Sequence, residues 1–332
     1  MRLRDYLRNE RFRLLAAFAA VYVVWGSTYL AIRFAIESIP PFLMMGARFL
    51  LAGGILYVWL RARGVERPSL RHWKSATAIG ALMLLGGMGL VAWSQQTVPS
   101  GLAALLVATV PLWIAVLSWF SGDDRPSTSS ITGLLLGFAG ILLLIGPEQL
   151  AGSGRVNPIG ALALTVASIS WAIGSLYSRR AAQHASQSLA TAMSMLAGGV
   201  LLVGAGAALG EFEGLSVLAI SVKSLLSLAY LVVFGSLVAF SAYIWLMKAT
   251  TPARAATYAY VNPVIALVLG WALVGEALTT RTVIAALVIV AAVSSIVSRK
   301  RVDEKRGKVL NRPVESICST PRALARATAP SR

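Results

Sequence analysis

Apolar residues run through this chain in long unbroken stretches and do not alternate with polar ones. The stretches fall at roughly 14–36, 40–60, 75–98, 100–120 and 130–147, and then at roughly 157–178, 189–209, 223–247, 253–275 and 280–298. Each is close to the ~20 residues that a helix needs to cross ~30 Å of hydrocarbon. A transmembrane barrel is excluded, because its strands are ~10 residues long and alternate in polarity. The pattern predicts an all-α integral membrane protein with ten transmembrane helices, five in each half. Ala17-Phe18-Ala19 loosely resembles a leader-cleavage site. Only a few apolar residues precede it and the apolar run continues well past it, so an uncleaved first helix is expected.

The two halves resemble each other in register. Gly26-Ser27-Thr28-Tyr29 in the first stretch matches Gly174-Ser175-Leu176-Tyr177 in the sixth, and Gly89-Leu90-Val91-Ala92-Trp93-Ser94 in the third matches Ser236-Leu237-Val238-Ala239-Phe240-Ser241 in the eighth. Ala103-Ala104 with Pro111 matches Ala255-Ala256 with Pro263. Two copies with an odd number of crossings enter a bilayer from opposite sides. The expected fold is therefore two inverted five-helix repeats, 14–147 and 157–298, joined by the short Gly152-Ser153-Gly154 linker. This is an architecture of carriers that alternate access around a central site. A basic flank, 1–13, precedes the repeats, and a basic, disordered tail, 299–332, follows them.

Composition agrees with this reading. Of 332 residues, 57% are hydrophobic and only 13% charged, about half the charged fraction of a soluble domain. The net charge of +17 would suit a nucleic-acid partner, but its placement argues otherwise. With the N-terminus inside, 25 of the 30 Lys and Arg residues fall in cytoplasmic segments. Only Arg155, Lys223 and Arg281 fall outside, which is the positive-inside pattern with both termini cytoplasmic. Membrane lipid, not nucleic acid, is the expected partner. The lone Cys318 excludes an intrachain disulfide and a thiolate metal cluster, and no metal or other cofactor is expected.

Several motifs carry a family resemblance. They are Trp25-Gly26-Ser27-Thr28-Tyr29, Pro40-Pro41 followed by Arg48-Phe49 and Ala52-Gly53, and Val98-Pro99-Ser100-Gly101-Leu102-Ala103-Ala104-Leu105 with Pro111. Pro252-Ala253 through Asn262-Pro263 and Gly275-Glu276-Ala277-Leu278 complete the series. Over about residues 14–298 the chain resembles an EamA-type permease of the drug/metabolite transporter superfamily. The resemblance implies a bacterial inner-membrane location and export of a small metabolite, an amino-acid-like solute or a drug. It also implies a central cavity enclosed by helices one, three, four, six, eight and nine. The second half departs from the first at one place, where Met193 or a neighbour stands in the position of Arg48.

Candidate site residues follow from what is unusual at membrane depth. Pro111 and Pro263 each remove a helical N–H, so the carbonyl four residues earlier needs another partner or lines a cavity. Matching interruptions in two halves point to a binding site, and a plain packing kink is the alternative. Trp25, Tyr29, Trp93, Gln96, Trp171, Tyr243, Tyr258, Tyr260 and Asn262 are the candidate lining residues, with interfacial anchoring the competing reading for each Trp and Tyr. An aromatic wall with a few amides suits uncharged, zwitterionic or flat apolar solutes. Arg33 is expected to snorkel to the interface. Arg48 lies deeper, and reads as a structural or gate charge or as a ligand for a substrate carboxylate. Glu276 aligns with Asp124 across the repeat, and both read as gate or helix-end residues. Gly133-x-x-x-Gly137 reads as close helix packing, with a homodimer contact as the alternative.

An enzyme or a channel are the other classes. Both histidines, His72 and His184, fall in loops, and every Asp and Glu lies at a span end, in a loop or in a tail. That leaves no acid–base cluster for catalysis and no intramembrane proton carrier. Transport driven by the solute's own gradient or by exchange is the expectation.

Overall fold

In the computed structural model, the described residues are 3–120, 157–249 and 258–291, with scattered helical positions between 132 and 143. Asp124, most of the fifth stretch, the Gly152 linker, Arg254, Cys318 and the tail lie outside them. The side chain of Tyr260 does too.

The described residues are helical, with no strands among them. Helix α1 is Leu3–Ala35, α2 Pro41–Ala62 and α3 Leu70–Ser94. The fourth stretch is two helices, α4 at Ser100–Val107 and α5 at Val110–Phe120. In the second half, α6 is Pro158–Arg180 and α7 is Gln187–Ala208. Helix α8 has three parts: Val222–Tyr230, Leu231–Val238 and Ala239–Ala249. Then come α9 at Tyr258–Val274 and α10 at Thr280–Ala291. Among the described residues, six helices are long and apolar enough to cross a membrane, and shorter apolar helices accompany them.

Two of these helices change their winding midway. Gly80–Gly89 in α3 and Leu231–Val238 in α8 are π-helical. The π-helix is rare and concentrates at functional sites. The two stretches end where the Gly89–Ser94 and Ser236–Ser241 segments match in sequence, so the interruption belongs to the repeat.

The halves interlock. Helix α1 packs on α8 and α9 of the other half, α6 packs on α3, α4 and α5, and α2 packs on α7. Each half thus builds its walls from the other's helices in a reciprocal pattern. Small residues allow the close crossings. A methyl group on Gly80 would stand 2.7 Å from the backbone nitrogen of Gly198, so these two backbones touch.

Helix starts show a second regularity. Asn157, Ser186 and Ser221 each cap their own helix through a side-chain oxygen, as does Ser69 with His72. Helices α2 and α4 instead begin behind Pro40 and Pro99, which have no side-chain oxygen to offer. Carboxylates from the other half replace it. Glu211 accepts from the N–H groups of Phe42 (3.2 Å) and Leu43 (2.9 Å). Glu276 accepts from the N–H and the hydroxyl of Ser100 (both 2.8 Å) and from the N–H of Gly101 (3.1 Å). Negative charge there also complements the positive end of the helix dipole.

Candidate functional site

The π-wound stretch of α8 is where the two halves exchange their most specific contacts. Trp25 on α1 donates its indole N–H to the carbonyl of Gly235 at 3.1 Å. Its own carbonyl accepts from the Thr28 hydroxyl at 2.6 Å, and the Ser27 and Tyr230 hydroxyls meet at 2.7 Å. The Trp25 ring lies 5.1 Å from Tyr243 on α8 and 4.9 Å, edge-on, from Tyr258 on α9. Tyr243 and Tyr258 are themselves 5.7 Å apart and edge-on. Three of the candidate residues thus form one aromatic cluster between α1, α8 and α9, in geometries that favourable ring pairs adopt.

Arg48 on α2 reaches the same stretch. It is 3% exposed, and its Nε–H donates to Ser236 Oγ at 3.0 Å. Its guanidinium stands 5.0 Å from the Phe49 ring centre, and Nη1 is 3.8 Å from the thioether of Met45. Gly235, which receives Trp25, also makes room for Arg48: a methyl group there would lie 3.0 Å from Nη2. Asn262 on α9, one turn after Tyr258, is buried with its side-chain oxygen unpaired among the described residues. An unpaired buried amide oxygen costs about 1–3 kcal/mol.

Tyr29, one turn after Trp25 on α1, also lies near Tyr258, and the remaining candidates are placed elsewhere. Tyr29 packs against the apolar cluster of Val91, Leu105 and Leu164, and Trp93 against that of Met44, Phe49 and Leu231. Trp171 on α6 packs on Gly87 in the π stretch of α3. Gln96 is exposed, in the turn after α3, and donates to the carbonyl of Trp93 at 3.1 Å. Its neighbour Gln95 is the buried one, with both amide atoms unpaired. Pro111 stands just after a real interruption at Ala108–Thr109, as the second residue of α5. Pro263 does not: α9 continues through it as one helix. The paired interruption is carried by the π stretches of α3 and α8.

Arg33 is paired, with Nε 3.8 Å from Glu276 and its side chain one-third exposed. Around it, at the Glu276 end of the bundle, Lys223 bridges Glu37 at 2.7 and 2.9 Å, and the Ser221 N–H donates to Ser38 Oγ at 3.0 Å. At the other end, the rings of His72 and His184 meet edge-on at 5.3 Å. Each Nδ1 accepts a backbone N–H, from Ser69 and Ser186. Both histidines serve local chain geometry.

A bundle of apolar helices in two interlocked halves, with polar and aromatic groups gathered between them, is the build of a membrane transporter. The chain belongs to the EamA-like transporter family, whose model matches it twice, over residues 12–146 and 158–298. It is 43% identical over 288 residues to the inner membrane transporter YedA of Escherichia coli (strain K12), covering 85% of this chain and 91% of that one. It is 26% identical to a Salmonella typhimurium protein named "Probable amino-acid metabolite efflux pump", covering 82% of this chain and 90% of that one. A solved crystal structure shares the fold with a TM-score of 0.59 at 22% identity, covering 86% of this chain and 96% of that one.

Proposed function

We propose that the protein is a secondary carrier that exports a small metabolite, an amino-acid-like solute or a drug by alternating access. In this reading ten helices span the bacterial inner membrane as two inverted repeats, 14–147 and 157–298. Both termini are cytoplasmic and the Glu276 end faces the periplasm. The observation that carries it is the convergence of Trp25, Tyr243, Tyr258 and Arg48 from four helices around one π-wound stretch, with the buried Asn262 one turn along α9 from Tyr258. The reciprocal packing of the halves and the name of the Salmonella relative support the same reading. The chemistry is binding chemistry, with aromatic faces, an amide and a fixed charge, so the carrier reading is preferred to an enzyme or a channel.

Energy coupling is assigned to the solute's own gradient or to exchange. Glu276 and Glu37 are the carboxylates nearest to membrane depth, and both are engaged, one as a helix cap and one with Lys223. Lipid and a small solute are the only partners assigned, and a homodimer is left to measurement. The test is counterflow in liposomes holding the purified protein, across amino acids, nucleosides, amines and drugs. Tyr258→Ala and Asn262→Ala should each impair uptake while leaving membrane expression intact; retained uptake in both removes the site. Reporters fused at Gly152 and at the C-terminus should show opposite sidedness, and equal sidedness removes the inverted topology.

A further inference from the structure

Arg48 is a charge without a counter-charge. It is 3% exposed, and no carboxylate among the described residues lies within ion-pair distance of it. A guanidinium carries five N–H donors in a planar fork. Here Nε–H is answered by Ser236 Oγ, Nη1 faces only a thioether sulfur, a weak acceptor, and Nη2 meets no acceptor among the described residues. Holding such a group at membrane depth costs about 2.5–3.5 kcal/mol on insertion scales. The matching helix of the second half, α7, carries no charged residue from Gln187 to Ala208, and Met193 or a neighbour stands in the place of Arg48. A helix that is uncharged in one copy and bears an unanswered arginine in the other holds that charge for something beyond packing.

We propose that Arg48 is the anion-recognition point of the transport site. The solute is then a carboxylic acid with an apolar or aromatic body. Its carboxylate is bound by the unanswered edge of the guanidinium, and its body lies against Trp25, Tyr243 and Tyr258. Gly235 ties the two parts together, since its carbonyl orients Trp25 and its missing side chain makes the place that Nη2 occupies. The planar fork pairs with a carboxylate through two parallel hydrogen bonds, so the site discriminates a carboxylate from its neutral amide. Ser236 is the positioning residue that fixes Nε, with Nη2 lying beside Gly235 of α8.

This rests on the carrier reading, and binding is measured apart from transport so that the two fail separately. The probes are two matched pairs, phenylacetate with phenylacetamide and L-phenylalanine with L-phenylalaninamide, bound to the purified full chain. The wild type should prefer each carboxylate at least tenfold. Arg48→Met, which removes the charge and keeps an unbranched side chain, should weaken carboxylate binding roughly 100-fold and leave the amides unchanged. Arg48→Lys should restore part of the preference. If Arg48→Met does not fold, Gly235→Ala keeps the charge while crowding Nη2, and should cost the carboxylates roughly tenfold and the amides nothing. Equal binding of acid and amide, no binding of any probe, or an undiminished preference in Arg48→Met overturns the proposal. Arg48-dependent binding without uptake in liposomes would instead sink the carrier reading and leave the anion site standing. Uptake of neutral solutes that ignores Arg48 would do the reverse.

Discussion

In α3 the π-wound stretch Gly80–Gly89 accepts a side-chain hydrogen bond from Ser170 of α6, on the carbonyl of Leu82 at 2.7 Å, and lies against the Trp171 ring and the backbone of Gly198. In α8 the corresponding stretch accepts the indole of Trp25 on Gly235 and the guanidinium of Arg48 on Ser236. Both are crossed by a first-position helix of the opposite half, α6 on one and α1 on the other, and both receive a donor on a backbone carbonyl. One is closed by backbone against backbone, and the other is furnished with a charge and three aromatic rings. The duplication supplied two similar frames, and only one of them carries a buried charge. The proposed site is thus placed where the likeness of the halves is broken.

The largest expected effect tests the closed frame. Gly80→Leu drives a side chain into the backbone of Gly198, which cannot yield as a flexible side chain would, and should lower stability by about 3 kcal/mol. Gly204→Leu on α7, where nothing lies within 4 Å, should leave the thermal unfolding midpoint in detergent near the wild-type value. Equal midpoints for the two variants would break the comparison.

The next pair sharpens it. Trp25→Phe keeps a ring in the aromatic cluster and removes the donor to Gly235, and should slow uptake in liposomes roughly tenfold for a loss of about 1.4 kcal/mol. Ser170→Ala removes the equivalent donor in the other half and should cost about 1 kcal/mol of stability with uptake preserved. A tenfold loss in both would mean that the two frames are functionally alike.

Smaller still is Glu276→Gln. It keeps one acceptor oxygen for Ser100, turns the other into a donor that no longer accepts from Gly101 and removes the charge, and should cost about 1 kcal/mol in stability. Uptake should not become sensitive to an imposed pH gradient or lose such a sensitivity. Proton-driven accumulation abolished by this variant would make Glu276 a coupling group. The smallest effect is Lys223→Ala. This pair with Glu37 is about half exposed on both sides, so the change should stay within about 0.5 kcal/mol.

The membrane helices were legible because hydrocarbon imposes a length and a polarity on every crossing. The duplication was legible because the same short segments recur in register in the two halves, and the family model matches each half once. The candidate site was legible in its residue types. Trp25, Tyr243 and Tyr258 come together as expected, and Asn262 is buried beside them. The helix interruption was expected in the wrong chemistry. Proline is a conspicuous letter, yet α9 absorbs Pro263 without ending. The π winding at Gly80–Gly89 and Leu231–Val238 has no such letter, because it arises from the packing of one half on the other. Gln95 and Gln96 show the same limit at single-residue scale. The two are chemically identical, and only helical phase, with Gln95 one turn above the buried Val91, separates the enclosed amide from the solvated one. Glu211 was missed because its partner helix lies so far back in the chain, and an N-cap proline at Pro40 was the available clue.

The borrowed caps also fix an order in time. The carboxylates that complete the starts of α2 and α4 come from positions 168 to 176 residues further along the chain. During synthesis the first half leaves the ribosome, and enters the bilayer, with two helix beginnings whose N–H groups have no permanent partner. Water or lipid headgroups must stand in until Glu211 and then Glu276 are made. The nascent protein therefore passes through a half-built stage in which one face is provisional, and it becomes a closed object only when the ninth helix has been delivered. A chain cut short after the eighth helix would still carry the α2 cap and lack the α4 cap, which gives the cell's quality-control proteases a defined local defect by which to know an unfinished copy.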